Sequence, residues 1–176
     1  MLKFSEGTRQ MDIVIDGYNL IGSESGLSGA LEPKRNWLIK QLVQYQEIKK
    51  FNLTVVFDGW RSGQAHEVAE GVGGIAVVYS RLGEKADAVI VRIARSRSSG
   101  AVIVTSDREI RNAVEKLGAA AVSAAEFNQI LRSLDGAYRG NDDDNEPDFR
   151  TAKKGNANRL SKSERRHNDK LKKLKL

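Results

Sequence analysis

Three short apolar runs in this chain each stop abruptly at an aspartate. Ile13-Val14-Ile15, extended upstream by Met11, ends in Asp16-Gly17; Leu53-Thr54-Val55-Val56-Phe57 ends in Asp58-Gly59; Ala101-Val102-Ile103-Val104-Thr105-Ser106 ends in Asp107. An apolar run without polar alternation reads as a strand buried on both faces of a parallel sheet. Ligands of open α/β sheets bind at the carboxyl ends of the strands. Three strand ends carrying an acid therefore define one candidate site.

The rest of the chain alternates around these runs. After the turn Asp16-Gly17-Tyr18-Asn19 comes a Gly/Ser-rich loop, 22–29, and then Pro33 opens a helix to about Lys50 with Leu38, Leu42, Tyr45 and Ile48 on one face. Residues 60–74 have four glycines and no period, which reads as an irregular loop. Ile75–Tyr79 is a third strand, and from Lys85 a helix puts Ala86, Val89, Ile90, Ile93 and Ala94 on one face. The fourth strand ends at Asp107; a helix to Leu117, a short strand over 120–122 and a helix around 124–134 follow. The pattern predicts an α/β domain over 11–135, with a mostly parallel sheet of about five strands covered on both faces. Residues 136–149 read as a polar acidic linker, and 150–176 as a disordered or conditionally helical basic tail.

Composition narrows the chemistry. There is no cysteine and there are two histidines, His66 and His167, so thiolate zinc sites, cysteine nucleophiles and disulfides are excluded and any metal must be held by oxygen. No apolar run approaches the ~20 residues of a membrane span, and residues 1–10 lack the apolar stretch of a signal peptide. A cytoplasmic protein is expected, with no membrane partner and no small-molecule cofactor. The net charge of +6 is a property of the tail: residues 150–176 hold eleven Lys or Arg against two acids, +9, and the other 149 residues carry −3.

Asp16, Asp58 and Asp107 sit at corresponding strand ends of a sheet whose strands are ~4.8 Å apart, and brought together they would repel one another. Asp87, in the first turn of a helix starting on the same edge, adds a fourth acid. A hard divalent cation such as Mg²⁺ or Mn²⁺ relieves that repulsion and accepts carboxylates, water and phosphate together. The competing reading is that each aspartate caps a helix or supports a turn. No Walker-type phosphate loop, dinucleotide-binding glycine pattern or Gly-x-Ser-x-Gly elbow is present. Carboxylate-held metal acting on a phosphodiester is the chemistry that remains.

The stretches IDGYNLIG at 15–22, VVFDGW at 55–60, GEKADAVIVR at 83–92 and VTSDREIRNAVEKLGA at 104–119 resemble the bacterial YacP-like NYN family, whose domain is related to PIN-type nucleases. The resemblance runs from about Met11 to Leu131 and is carried by the four blocks together. It implies a three-layer α/β/α PIN-like fold and a metal-dependent endoribonuclease with its acids at Asp16, Asp58, Asp87 and Asp107. It implies also that Asn19 orients a carboxylate or water. Thr105 and Ser106 could hydrogen-bond the metal ligands. Many relatives carry a second acid where this chain has Ala88, which implies one metal held firmly and a second weakly or not at all.

Arg61, Arg81, Lys85 and Arg108 lie within a few residues of strand ends and could contact flanking phosphates. Tyr18 and Trp60 adjoin two of the acids; either could stack on a base, unless Tyr18 is a core residue. In the tail, Lys153, Lys154, Arg159, Arg165, Arg166, Lys170, Lys172 and Lys173 form a density of charge suited to a polyanion, with mRNA, rRNA or the ribosome as partner. The alternative function is a non-catalytic RNA- or ribosome-binding module on the same fold. A phosphatase or flap-type DNA nuclease is a third option, since carboxylates do not distinguish RNA from DNA.

Overall fold

A computed structural model describes residues 10–59, 65–97, 100–138 and 160–176, with side chains to Leu134 in the helix that ends at Tyr138. The elements are β1 (Asp12–Asp16), α1 (Gly17–Ser25), α2 (Leu31–Lys49), β2 (Asn52–Phe57), β3 (Val68–Val72), β4 (Ile75–Tyr79), α3 (Ala86–Ser96), β5 (Val102–Val104), α4 (Arg108–Lys116), β6 (Ala120–Val122), α5 (Ala124–Tyr138) and α6 (Lys162–Leu174). The strands form one sheet in the order β3-β4-β2-β1-β5-β6. All pairings are parallel except β3 with β4.

Period-two alternation splits the strand residues between two cores. Ile13, Ile15, Leu53, Val55, Phe57, Val102 and Val104 face the layer of α1, α2, α5 and α6, where Leu20, Leu38, Leu42, Tyr45 and Phe127 are fully buried. Val14, Val56, Val78 and Ile103 face α3 and α4, meeting Val89, Ile90, Ile110 and Val114. The result is the expected three-layer sandwich. From β1 the chain steps outward through β2 to β4 and then returns to add β5 on the other side of β1. That reversal puts the topological switch point at the carboxyl ends of β1 and β5, the position at which such sheets bind ligands.

Four local expectations are corrected. Among the described residues the sheet has six strands, because β3 forms inside the span read as a loop; Gly73 and Gly74, at φ 53° and 86°, make the two-residue turn that pairs Val72 with Ile75. Its side chains are mostly exposed, so it lacks the apolar run of the central strands. The turn after Asp16 is the start of α1, and Lys34 Nζ binds the carbonyls of Ser25, Gly26 and Ser28 at 3.3, 2.7 and 2.9 Å, fixing the α1–α2 connection. Ile48 points outward, 60% exposed, because α2 turns its last face away after Tyr45.

The fourth correction concerns the tail. Of the two states read for the tail, disordered or conditionally helical, residues 162–174 take the helical one, and they are docked on the domain where an arm was expected. Ser161 and Glu164 close a capping box, and His167, Leu171 and Leu174 share one face at helical spacing. Leu174 is fully buried, and Tyr45 Oη donates to its carbonyl at 2.7 Å. Burying a leucine contributes ~1.5–3 kcal/mol, enough to hold a capped helix against its own charge. His167 reaches the Ala121 carbonyl on edge strand β6 at 2.7 Å and Glu126 Oε1 at 3.1 Å. Trp60, Arg61, most of the acidic linker, and Lys153, Lys154 and Arg159 lie outside the described residues.

Candidate active site at the sheet edge

Asp16 ends β1 with its carboxylate buried, 8% exposed. Oδ1 accepts the Asn19 backbone N–H at 3.4 Å, capping α1, and Oδ2 accepts the Thr105 hydroxyl at 3.1 Å. The residue that follows must be glycine for the strand to turn here: a Cβ on Gly17 would lie 2.3 Å from the Phe57 ring. Burial pushes the Asp16 carboxyl up to about 7, against the lowering effect of those two hydrogen bonds, and Asp87 and Asp58 push it in the same direction as burial.

Asp58 follows β2, the neighbour of β1, and its Oδ1 accepts the Ala86 N–H at 2.7 Å, at the start of α3. Asp87, the next residue of α3, is half-buried, and its carboxyl is raised by burial, then by Asp107 and Asp58, with Lys85 opposing. Asp107 caps α4, its Oδ1 accepting the N–H groups of Glu109 and Ile110 at 2.8 and 3.2 Å. Capping is therefore one role of Asp58 and Asp107, and it leaves part of each carboxylate uncommitted. In Asp58 and Asp107 one carboxylate oxygen is committed to a helix start, and among the described residues the other accepts no hydrogen bond.

Of the residues expected to orient the acids, Thr105 reaches Asp16 with its side chain and Asn19 only with its backbone N–H. Thr105, fully buried, donates to Asp16 and accepts the Asp107 N–H at 3.1 Å, linking two of the acids through one hydroxyl. Asn19 Oδ1 accepts the Ser106 N–H at 2.8 Å, and Ser106 Oγ accepts the Ala124 N–H at 3.1 Å, so α1, the β5–α4 loop and α5 are tied together. Ser80 is a residue that the motif reading missed. Fully buried, its Oγ accepts the Gly59 N–H at 2.9 Å and donates to the Glu84 carbonyl at 2.7 Å, holding the Asp58 turn against the start of α3. A serine directly after an apolar strand was the available signal.

The expected cations differ in availability. Arg108 is exposed at the start of α4, and Lys85 is exposed at the start of α3. Arg81 is exposed but pairs with Glu84 at 3.4 Å. Tyr18 is a core residue, 6% exposed and edge-on to Phe57, so it offers no face to a base. In the tail, Arg165, Lys172 and Lys173 are exposed; Arg166 and Lys170 are partly covered, and Lys170 donates to the Gly100 carbonyl at 2.7 Å. Asp87 and Ala88 line two adjoining open grooves of about 560 and 540 Å³, the second continuing between α3 and α4 past Val91 and Ile110.

The donor set fits a hard divalent cation in its chemistry: oxygen ligands only, with acids that raise one another's pKa values. Among the described residues no three acidic or histidine side chains converge tightly enough to enclose an ion by themselves. Mg²⁺ does not require that, since it keeps several waters and takes one or two carboxylates together with substrate phosphate. Also among the described residues, no helix is long and apolar enough to cross a membrane.

Comparison with known proteins bears on the fold and the family. Two crystal structures of Rae1 (YacP) from Bacillus subtilis are similar to the chain at 24% identity. One, a tryptophan-to-leucine mutant, gives a TM-score of 0.62 over 73% of this chain and 79% of that one. The other gives 0.60 over 72% and 76%. At that identity the likeness establishes the fold. A search of curated proteins found no match. The YacP-like NYN domain family matches over residues 13–174, from the first strand to the end of α6. The chain belongs to the YacP-like NYN domain family, with the PIN-like, nuclease-type fold.

Proposed function

We propose that this protein is a metal-dependent endoribonuclease that hydrolyses RNA phosphodiester bonds at Asp16, Asp58, Asp87 and Asp107. One observation carries the reading. Four acids gather at the switch point of the sheet, two of them pushed upward by burial and by other acids of the group, and among the described residues none is in an ion pair. A fold has no structural need for such uncompensated charge; a site that receives a cation with its substrate does. A non-catalytic RNA-binding module would lose affinity from four acids beside the phosphate backbone.

A bound Mg²⁺ or Mn²⁺ would supply a lowered pKa for water and charge neutralisation at the phosphoryl group. Asp16, Asp58, Asp87 and Asp107 would hold it, directly or through its waters. Thr105 and Asn19 keep Asp16 and the β5–α4 loop in fixed positions through the hydrogen bonds described above. Ala88 beside Asp87 supports one firm metal position rather than two. Lys85 and Arg108 would contact phosphates flanking the scissile one. The outer face of α6, with Lys162, Arg165, Lys172 and Lys173 exposed, would bind RNA or the ribosome through counterion release. Such an enzyme works in the cytoplasm on mRNA or rRNA.

The test is incubation of the purified protein with labelled single-stranded and structured RNA and DNA, in Mn²⁺ or in EDTA. RNA should be cut internally, leaving 5′-phosphate ends, in Mn²⁺ only, and Asp16→Asn and Asp107→Asn should abolish cutting. Cleavage in EDTA would remove the metal from the reading. RNA binding without cleavage under every condition would leave the binding module, and preferential cutting of DNA would move the assignment to a DNA nuclease.

A further inference from the structure

Arg35 stands on the same sheet edge as the acids, on the face opposite α3. It lies one turn into α2, half-buried, and its Nη1 donates to Tyr18 Oη at 2.9 Å. Its Cζ is 6.0 Å from the centroid of the Tyr79 ring. Tyr18 is two residues beyond Asp16, and Tyr79 is the last residue of β4. Between the two tyrosines lies Phe57, the neighbour of Asp58, 5.2 Å from Tyr18 and 5.7 Å from Tyr79, centroid to centroid. An aromatic row thus runs along the strand ends, and Arg35 spans it.

What Arg35 lacks is as informative as what it touches. Among the described residues no carboxylate lies within ion-pair distance of it. A guanidinium has five N–H donors in a rigid fork, and its charge is permanent. The phenol oxygen and the aromatic face fix the orientation of that fork without neutralising it. The adjacent Lys34 is engaged with three carbonyls, so Arg35 is the cation that α2 leaves available here. A guanidinium held in place by neutral partners, with no acid beside it, suits a phosphate, which takes two parallel N–H bonds.

We propose that Arg35 is a substrate-binding residue that grips an RNA backbone phosphate on the α2 side of the carboxylates. Lys85 lies on the α3 side, so a strand crossing the sheet edge is held at both flanks with the scissile phosphate over Asp16 and Asp58. This inference rests on the endoribonuclease reading.

The experiment measures binding of a fluorescently labelled single-stranded RNA of twelve nucleotides to the full chain in EDTA, over a range of salt concentrations, for wild type, Arg35→Met and Arg35→Lys. Arg35→Met should weaken binding about tenfold and reduce the salt slope by about one. Arg35→Lys should keep the slope but lose part of the affinity, because the ammonium lacks the fork. In Mn²⁺, Arg35→Met should raise KM with little change in kcat. A wild-type affinity and salt slope in Arg35→Met, with a lowered melting temperature, would reduce Arg35 to a clamp between two tyrosines and overturn the inference while leaving the nuclease reading intact. If Arg35→Met does not fold, wild-type affinity in Arg35→Lys overturns it equally. Failure of the wild type to bind any RNA would remove both readings together.

Discussion

Asp58 Oδ1 accepts the Ala86 backbone N–H at 2.7 Å, so the acid at the end of β2 caps the helix that carries Asp87. Holding α3 by its first N–H brings a second carboxylate to the strand ends, and the field of Asp58 is one of the influences that raise Asp87. Asparagine caps helices as well as aspartate does but carries no charge. Asp58→Asn should therefore match or exceed the metal-free stability of the wild type, whereas Asp58→Ala should cost about 0.5–2 kcal/mol. Urea unfolding of both variants in EDTA checks this; equal losses in the two would mean that charge repulsion at this position is negligible.

Asp16 makes stability depend on pH with a definite sign. Its carboxyl is raised from 3.8 to about 7 in the folded state, mainly by burial, so the folded protein keeps a proton that the unfolded chain has released. Metal-free stability should fall as pH rises from about 4 to about 7, by up to about 1.4 kcal/mol per pH unit from this group. Below pH 4 both states are protonated and the penalty vanishes. Asp16→Asn should flatten that part of the curve and stabilise the protein at pH 7.5 in EDTA. A curve with wild-type slope in the variant would contradict the assignment.

The docked α6 gives a prediction of opposite character for apolar and charged positions. Leu174 is fully buried between α2 and the sheet, while Lys172 and Lys173 are exposed. Leu174→Ala should cost about 2–4 kcal/mol, and joint replacement of Lys172 and Lys173 by Gln should leave stability within about 0.5 kcal/mol. The double Gln variant should instead weaken RNA binding and flatten its salt dependence. Thermal melts and salt titrations of the two variants separate the structural face of α6 from its outer face. Truncation at 150 does not serve, because it removes a core residue along with the charge.

Where one physical signal dominated, it could be read directly. The apolar runs ending in Asp16, Asp58 and Asp107 predicted three parallel strands, and they are β1, β2 and β5, side by side in the interior of the sheet. Thr105 and Asn19 were expected near the acids because of their places in those blocks; the Thr105 hydroxyl reaches Asp16, whereas the Asn19 side chain takes the Ser106 N–H. Signals failed where two of them conflicted. In α6 the charge of eleven Lys and Arg in the tail outweighed a capping box and an apolar stripe of only His167, Leu171 and Leu174. In β3 an exposed edge strand carries no apolar run, and the turn pair Gly73-Gly74 was the mark of the hairpin. Arg35 stood out by no local pattern, since its partners Tyr18 and Tyr79 are distant in the chain.

The most direct measurement is the thermal melt of wild type, Asp16→Asn, Asp58→Asn and Asp107→Asn, each in EDTA and in millimolar Mn²⁺. If the carboxylates share one cation, Mn²⁺ stabilises the wild type by mass action, about 2.7 kcal/mol at a hundredfold excess over Kd. Each Asn variant should lose most of that increment while melting in EDTA no lower than the wild type. Retention of the full wild-type increment by all three variants would show that these acids cap helices and hold no metal.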